Sequence, residues 1–313
     1  MKNKYLLGHS MALLTIIIWG VTFISTKVLL RNLQPVEILF YRFLMGYLAL
    51  LLIYPKFEKV GNWKEELLFL GSGVCGVTLY FFIENMALKY TLASNVGLLV
   101  SVIPILTALL AHTLTRDEKF DKNLVLGFII AIAGIFLVVF NGNFVLKLNP
   151  AGDLLAVMAA VTWSVYSILL KKIGSKYNPI YITRKIFFYG VVSMIPMLLI
   201  FRADFNISIM LMPDVLLNLL FLGVVASALC FVMWNTAVSL IGVVKTSNYI
   251  YLVPLITIIS AVLVLHEVIT NFALLGAVFI LSGVYVSEHG FVAISAFQTL
   301  FNSLKKIRNK SAD

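Results

Sequence analysis

Charge is scarce in this sequence. Only 12% of its 313 residues are Asp, Glu, Lys or Arg, about half the usual share of roughly 25%. A folded chain of this size needs a charged exterior to stay dispersed in water, so a soluble enzyme, a disordered chain and an ordinary nucleic-acid binder are excluded. Cysteine is nearly absent: Cys75 and Cys230 both sit inside apolar runs, with no CxxC and no partner at zinc-ligand spacing. That excludes a disulfide scaffold and gives no metal site. The four histidines, His9, His112, His266 and His289, form no HExxH and no Ser/His/Asp set, so a membrane-embedded enzyme is the lesser reading and no catalytic residue is assigned. Without a glycine-rich phosphate loop, ATP-driven pumping is unsupported and no cofactor is expected.

What the chain has instead is apolar length. Residues of the types A, V, I, L, M, F, W, Y and C make up 61% of it. Charge-free stretches such as Tyr5 to Thr26, Tyr90 to Thr115 and Val215 to Val244 match the ~20 residues that cross ~30 Å of hydrocarbon as a helix. Cutting the longer runs at Gly, Pro and Asn clusters predicts ten helices, near 8–29, 36–54, 67–87, 93–114, 123–141, 152–171, 181–200, 215–236, 245–265 and 272–289. The fold class is an all-α polytopic membrane protein of the cell membrane. The net charge of +10 is then a topology signal. With both termini cytoplasmic, inner loops and tails hold 16 Lys and Arg against 5 outside. Beyond the last span, residues 291–313 pair an apolar face with a basic KKIRNK, which predicts an amphipathic, basic cytoplasmic tail.

The halves repeat. Trp19 falls on Trp163 and Pro35 on Pro179 at a shift of 144; Asn85 falls on Asn235 and Pro104 on Pro254 at 150; Gly127 and Gly134 fall on Gly276 and Gly283 at 149. Repeat 1 covers 1–146 and repeat 2 covers 147–290. Each holds five spans, and an odd number inserts the second copy upside down. Ten helices arranged as two inverted five-helix repeats are a common plan of secondary transporters, with the substrate site between the halves near the midplane.

The residues that carry the repeat also carry a family resemblance. LTIIIWGVTFISTKVLL and LQPVEILFYRFLMGYLALLL resemble the opening of an EamA domain, with Trp19, Gly20, Lys27, Pro35 and Arg42 at the family's positions. ENMALKYTLASNVGLLVSVIPILTALLAHTLTRDEKF resembles its second part, and the copy from Leu154 to Val286 repeats the pattern with Trp163, Pro179, Asn235 and Pro254. The sequence is similar to EamA-domain transporters of the drug/metabolite transporter (DMT) superfamily. The resemblance implies an exporter of amino acids or other small metabolites. One departure is that Arg42 aligns with Ile186, with Arg184 and Lys185 just before it.

Candidate substrate-binding residues follow from helical faces and mid-span polarity. Trp19 and Thr22 share a face of the first helix, and Trp163 and Tyr166 share the equivalent face of the sixth. Their aromatic rings offer stacking surfaces with polar tips. Pro104 and Pro254 free backbone carbonyls in mid-span and predict helix kinks against a cavity. Near them stand Asn95, Ser101, Asn248, Tyr249 and Tyr251, and the third and eighth spans add Tyr80, Asn85 and Asn235. Glu84 needs a partner or a task at that depth. Arg42 and Lys27 are its candidate partners in a structural ion pair, with proton coupling or amine binding as the alternative.

The function expected is secondary active export of amino acids or similar zwitterions by alternating access. The first helix lacks the carboxylate used by small multidrug relatives, and the spans offer few of the cations that a nucleotide-sugar or triose-phosphate carrier would favour. Partners are then the solute, the lipid bilayer and, under the coupling alternative, a proton, with no nucleic acid and a monomer or weak homodimer as the working unit.

Overall fold

The computed structural model describes residues 2–115, 122–140, 150–266 and 271–289; the tail expected at 291–313 and the loops around Lys119 and Lys147 lie outside them. Every regular element among the described residues is helical. Helix α1 is Lys2–Leu29 and α2 is Pro35–Ile53. Helix α3 joins Trp63–Gly73 to Tyr80–Tyr90 through a π-helical turn, Val74–Leu79. Helix α4 joins Ala93–Leu99 to Ile103–Thr115 through a 3₁₀ turn, Val100–Val102. Helix α5 is Lys122–Phe140, α6 is Pro150–Ile173 and α7 is Pro179–Ile200. Helix α8 joins Pro213–Leu220 to Cys230–Ile241 through a second π-helical turn, Phe221–Leu229. Helix α9 joins Val243–Asn248 to Val253–Leu265 through a 3₁₀ turn, Tyr249–Leu252, and α10 is Asn271–His289.

Eight of these helices are long and apolar enough to cross a membrane, and α5 and α10 contribute the shorter apolar stretches Val125–Gly134 and Leu274–Gly283. Their starts are written locally. Proline opens α2, α7 and α8, where its fixed φ suits the first turn and its missing N–H is not needed. Asn62 accepts the Glu65 backbone N–H at 3.0 Å and Asn178 that of Ile180 at 2.9 Å, each capping a helix N-terminus. Between α8 and α9 the chain turns on Gly242 alone, at φ +87°, a conformation that a side chain would strain.

The compact units cut across the sequence repeats. Helices α1 to α4 and α6 to α9 form one unit, and α5 with α10 forms the other. In the second unit the repeated glycines cross. A Cβ at Gly134 would stand 2.6 Å from the Gly276 carbonyl oxygen, and one at Gly283 would stand 2.5 Å from that of Gly127. Only glycine lets the two backbones approach that closely, the usual means of helix pairing where the solvent is as apolar as the side chains.

In the first unit the inverted repeat is visible as mirrored contacts at opposite ends. A Cβ at Gly8 of α1 would meet Ile241 Cγ2 of α8 at 2.8 Å, and one at Gly152 of α6 would meet Tyr90 Cβ of α3 at 3.0 Å. Gly8 and Gly152 are equivalent positions, as are Leu240–Ile241 and Tyr90–Thr91. The two π-helical turns end at equivalent residues, Leu79 and Leu229. The unit has two ends, a Leu29 end where α1 stops and an Ile53 end where α2 stops.

Candidate functional site

A cavity lies inside the first unit, in the half toward the Leu29 end. Helix α1 lines it with Trp19, Thr22 and Phe23, α2 with Arg42, α3 with Tyr80, Phe81 and Glu84, and α6 with Trp163; Val100 and Ile103 of α4 and Ile250 and Val253 of α9 complete the wall. The apolar wall is symmetric: Trp19 answers Trp163, Val100 answers Ile250 and Ile103 answers Val253 at the repeat spacings. The charges are not. Arg42 and Glu84 both come from repeat 1, opposite Ile186 and Trp234.

Aromatic rings enclose the space. Trp163 packs on Tyr80 at 4.7 Å between centroids, on Tyr166 at 5.0 Å and on Phe231 at 5.7 Å. The Arg42 guanidinium lies over the Phe81 ring at 4.2 Å, a cation–π contact at a buried site. Its Nε donates to Ser227 Oγ at 2.7 Å, while Nη2 finds no acceptor among the described residues. The Trp163 indole Nε1 is equally without one. Buried donors without acceptors are costly, and native structures normally satisfy such groups. About 30 Å³ of the cavity is wide enough for water. That is room for one or two waters, so this conformation is contracted and a solute must widen it.

The direct ion pair expected for Glu84 is corrected by the structure. Glu84 and Arg42 face the same cavity and interact electrostatically, but no ion pair joins them among the described residues. Arg42 turns its Nε to Ser227, and Glu84 has the Tyr80 hydroxyl one helical turn back within hydrogen-bond reach. Lys27 Nζ donates to the carbonyls of Leu88 at 2.6 Å and Thr91 at 2.7 Å, where the C-terminus of α3 leaves acceptors open.

Of the other candidates, Trp19, Thr22, Tyr80 and Trp163 line the cavity and several polar ones do not. Asn85 donates to the Pro35 carbonyl at 3.1 Å, and Asn235 donates to Thr183 Oγ1 at 2.9 Å while accepting from the Tyr166 hydroxyl at 2.8 Å. These are equivalent ties, each fastening the third helix of a repeat to the first turn of its second, because Thr183 passes the bond on to the Pro179 carbonyl. Asn95 donates to Thr91 Oγ1, Ser101 to the Leu98 carbonyl, and the Tyr249 hydroxyl pairs with His9 Nδ1. Asn248 and Tyr251 also lie off the lining. The physical reason is the 3₁₀ turn before Pro104 and Pro254. Its tighter winding rotates the face that α-helical spacing assigns to Ser101 and Tyr251, so Val100 and Ile103, Ile250 and Val253 look inward instead. Arg184 caps α2 by donating to the Tyr54 and Lys56 carbonyls, and Lys185 pairs with Glu66 at 2.9 Å.

The sequence missed the partner of Arg42. Ser227 sits in the π-helical turn of α8, and no local pattern marks such a turn. The lining residues Val100, Ile103, Ile250 and Val253 carried a usable signal, since all four fall into register at a shift of 150.

An apolar helical unit whose mirrored halves enclose a charged cavity is the plan of a multi-pass membrane transporter. The chain belongs to the EamA-like transporter family, which matches residues 6–140 and again 150–288. An uncharacterized transporter of Archaeoglobus fulgidus is 32% identical over 285 residues, covering 89% of this chain and 96% of that protein. A probable amino-acid metabolite efflux pump of Escherichia coli is 26% identical over 290 residues, covering 90% and 94%. A solved crystal structure covers 92% of this chain and 98% of its own at TM-score 0.70 and 17% identity, a likeness of fold alone.

Proposed function

We propose that this transporter exports amino acids or similar zwitterions across the cell membrane by alternating access. The observation that carries the reading is the make-up of one cavity: Arg42, Trp163 and Glu84 all line it, and Arg42 Nη2 and Trp163 Nε1 are buried without acceptors among the described residues. A carboxylate satisfies both donors, and a charge-assisted bond to guanidinium is the stronger of the two. An ammonium sits against Glu84 and Tyr80, and an apolar side chain stacks on the aromatic wall. The buried guanidinium disfavours an organic cation, and one arginine falls short of the several cations that a nucleotide sugar attracts. The name of the Escherichia coli relative, a probable amino-acid metabolite efflux pump, supports both direction and class. Lys and Arg gather at the Ile53 end, which supports placing that end in the cytoplasm.

Counterflow in proteoliposomes tests this. Labelled amino acids, nucleosides and amphipathic drugs are offered to vesicles loaded with the same unlabelled compound. Accumulation of amino acids is the expected result; accumulation of nucleosides or cationic drugs, with amino acids inert, overturns it.

A further inference from the structure

Helix α6 carries a stripe of side chains, Trp163, Tyr166 and Leu170, that runs from one space to another. Trp163 lines the cavity, and Leu170 lines a recess at the Ile53 end together with Ser175, Asn235, Val238 and Ser239. The recess has about 290 Å³ wide enough for water and shares no lining residue with the cavity. Tyr166 stands between them on the stripe, fully buried, with its ring centroid 5.0 Å from that of Trp163 and 6.2 Å from that of Phe231. Its hydroxyl donates at 2.8 Å to Asn235 Oδ1, on the recess wall.

The other repeat lacks this bond. The equivalent stripe of α1 is Trp19, Thr22 and Thr26. Thr22 is shorter than Tyr166, turns its hydroxyl back to the Trp19 carbonyl at 2.7 Å, and lines the cavity itself. Asn85 Oδ1, the equivalent of the acceptor on Asn235, is buried without a donor among the described residues. The cavity therefore reaches past the threonine toward the Leu29 end and stops at the tyrosine toward the Ile53 end.

We infer that the recess is the mouth of the transport path at the Ile53 end, and that the Tyr166–Asn235 hydrogen bond is the door between it and the cavity. The inference rests on the alternating-access reading. Asn235 is the fixed side, held through Nδ2 by Thr183 at 2.9 Å. Tyr166 is the moving side, with no other side-chain hydrogen bond to break. Opening exchanges one bond within the protein for bonds to water or solute, and such an exchange is worth only about a fivefold change in equilibrium. It also frees a hydroxyl donor and an amide acceptor, which an entering zwitterion uses in place of its own water.

The test uses the full chain in sealed membrane vesicles, with Cys75→Ala and Cys230→Ala removing the native thiols. Val253→Cys in the cavity wall and Ser239→Cys in the recess are single reporters for an impermeant thiol reagent applied to the face that bears Lys59. Tyr166→Phe keeps the ring and removes the hydroxyl. It should speed labelling of Val253→Cys about fivefold and leave Ser239→Cys unchanged. Both reporters speeding equally is a general loosening and overturns the door. With Tyr166 intact, a bulky maleimide on Ser239→Cys should lower counterflow at least about fivefold; undiminished counterflow takes the recess off the path. Val253→Cys reacting from both faces at rates indifferent to Tyr166→Phe defeats the door alone. Val253→Cys reacting only from the opposite face, with Tyr166→Phe included, means the cavity never opens to the Ile53 end, which defeats the alternating-access reading with it.

Discussion

Trp19 and Trp163 hold the same position in the two repeats and meet edge to face, with ring centroids 5.2 Å apart and planes at 90°. Their indole N–H groups differ. Trp19 Nε1 donates to the Ala226 carbonyl at 2.8 Å, inside the π-helical turn of α8, whereas Trp163 Nε1 has no acceptor among the described residues. One tryptophan is thereby a clamp on an irregular turn, and under the proposed function its twin keeps a donor for the solute.

Phenylalanine substitutions separate the roles, since each keeps a ring and removes the N–H. Trp19→Phe is expected to cost about 1 kcal/mol of stability, seen as a lower melting temperature in detergent. Trp163→Phe removes a buried donor that had nothing to bond, so melting holds while solute affinity drops about tenfold. A reversed pattern exchanges the assignments.

Arg42 is buried and depends on two neighbours. Removing the Ser227 hydroxyl orphans Nε, and Ser227→Ala should cost about 1–3 kcal/mol. Glu84→Gln removes a carboxylate that attracts the buried cation without pairing with it, and should also lower the melting temperature. Thermal unfolding of both variants checks both effects. Unchanged melting of Glu84→Gln, with loss of transport driven by a pH gradient, would make Glu84 a proton carrier instead.

Pairing of α5 with α10 depends on backbone contact. Gly134→Ala places a methyl 2.6 Å from the Gly276 carbonyl oxygen, an overpacking that should cost about 1–3 kcal/mol. Ile132→Ala on the exposed side of α5 is the control and should be nearly silent in the same melting assay.

Much of the fold was legible because membrane burial writes itself into length and charge. The charge-free runs matched the helices, and the offset series of Trp, Pro, Asn and Gly revealed the duplication. Trp19, Trp163, Arg42 and Glu84 could be singled out because a large ring or a charge in mid-span demands a reason. Asn85 and Asn235 misled for the opposite cause: in hydrocarbon, a polar side chain that fastens two helices looks in sequence like one that meets a solute. The π-helical turns and the 3₁₀ turns were not legible, since each depends on packing between distant segments. They shift the inward face by a residue, enough to replace Ser101 with Val100.

Topology has its own check. Lys59 lies in the exposed loop after α2 at the Ile53 end, and Lys89 is exposed at the Leu29 end. In intact cells an impermeant thiol reagent should label Lys89→Cys and spare Lys59→Cys, because basic loops stay in the cytoplasm. The opposite labelling inverts the orientation.

The central claim is that a single cavity reads both ends of a zwitterion, through Arg42 with Trp163 and through Glu84. Competition by capped amino acids measures it. Once counterflow has identified a transported amino acid, its methyl ester and its N-acetyl derivative are titrated against it on the purified protein. Both capped forms should compete at least about tenfold more weakly than the free amino acid, since each loses one charge-assisted bond. In Arg42→Gln the penalty for the ester should vanish while that for the acetyl derivative stays. An ester that competes as well as the free amino acid on the unsubstituted protein contradicts the claim.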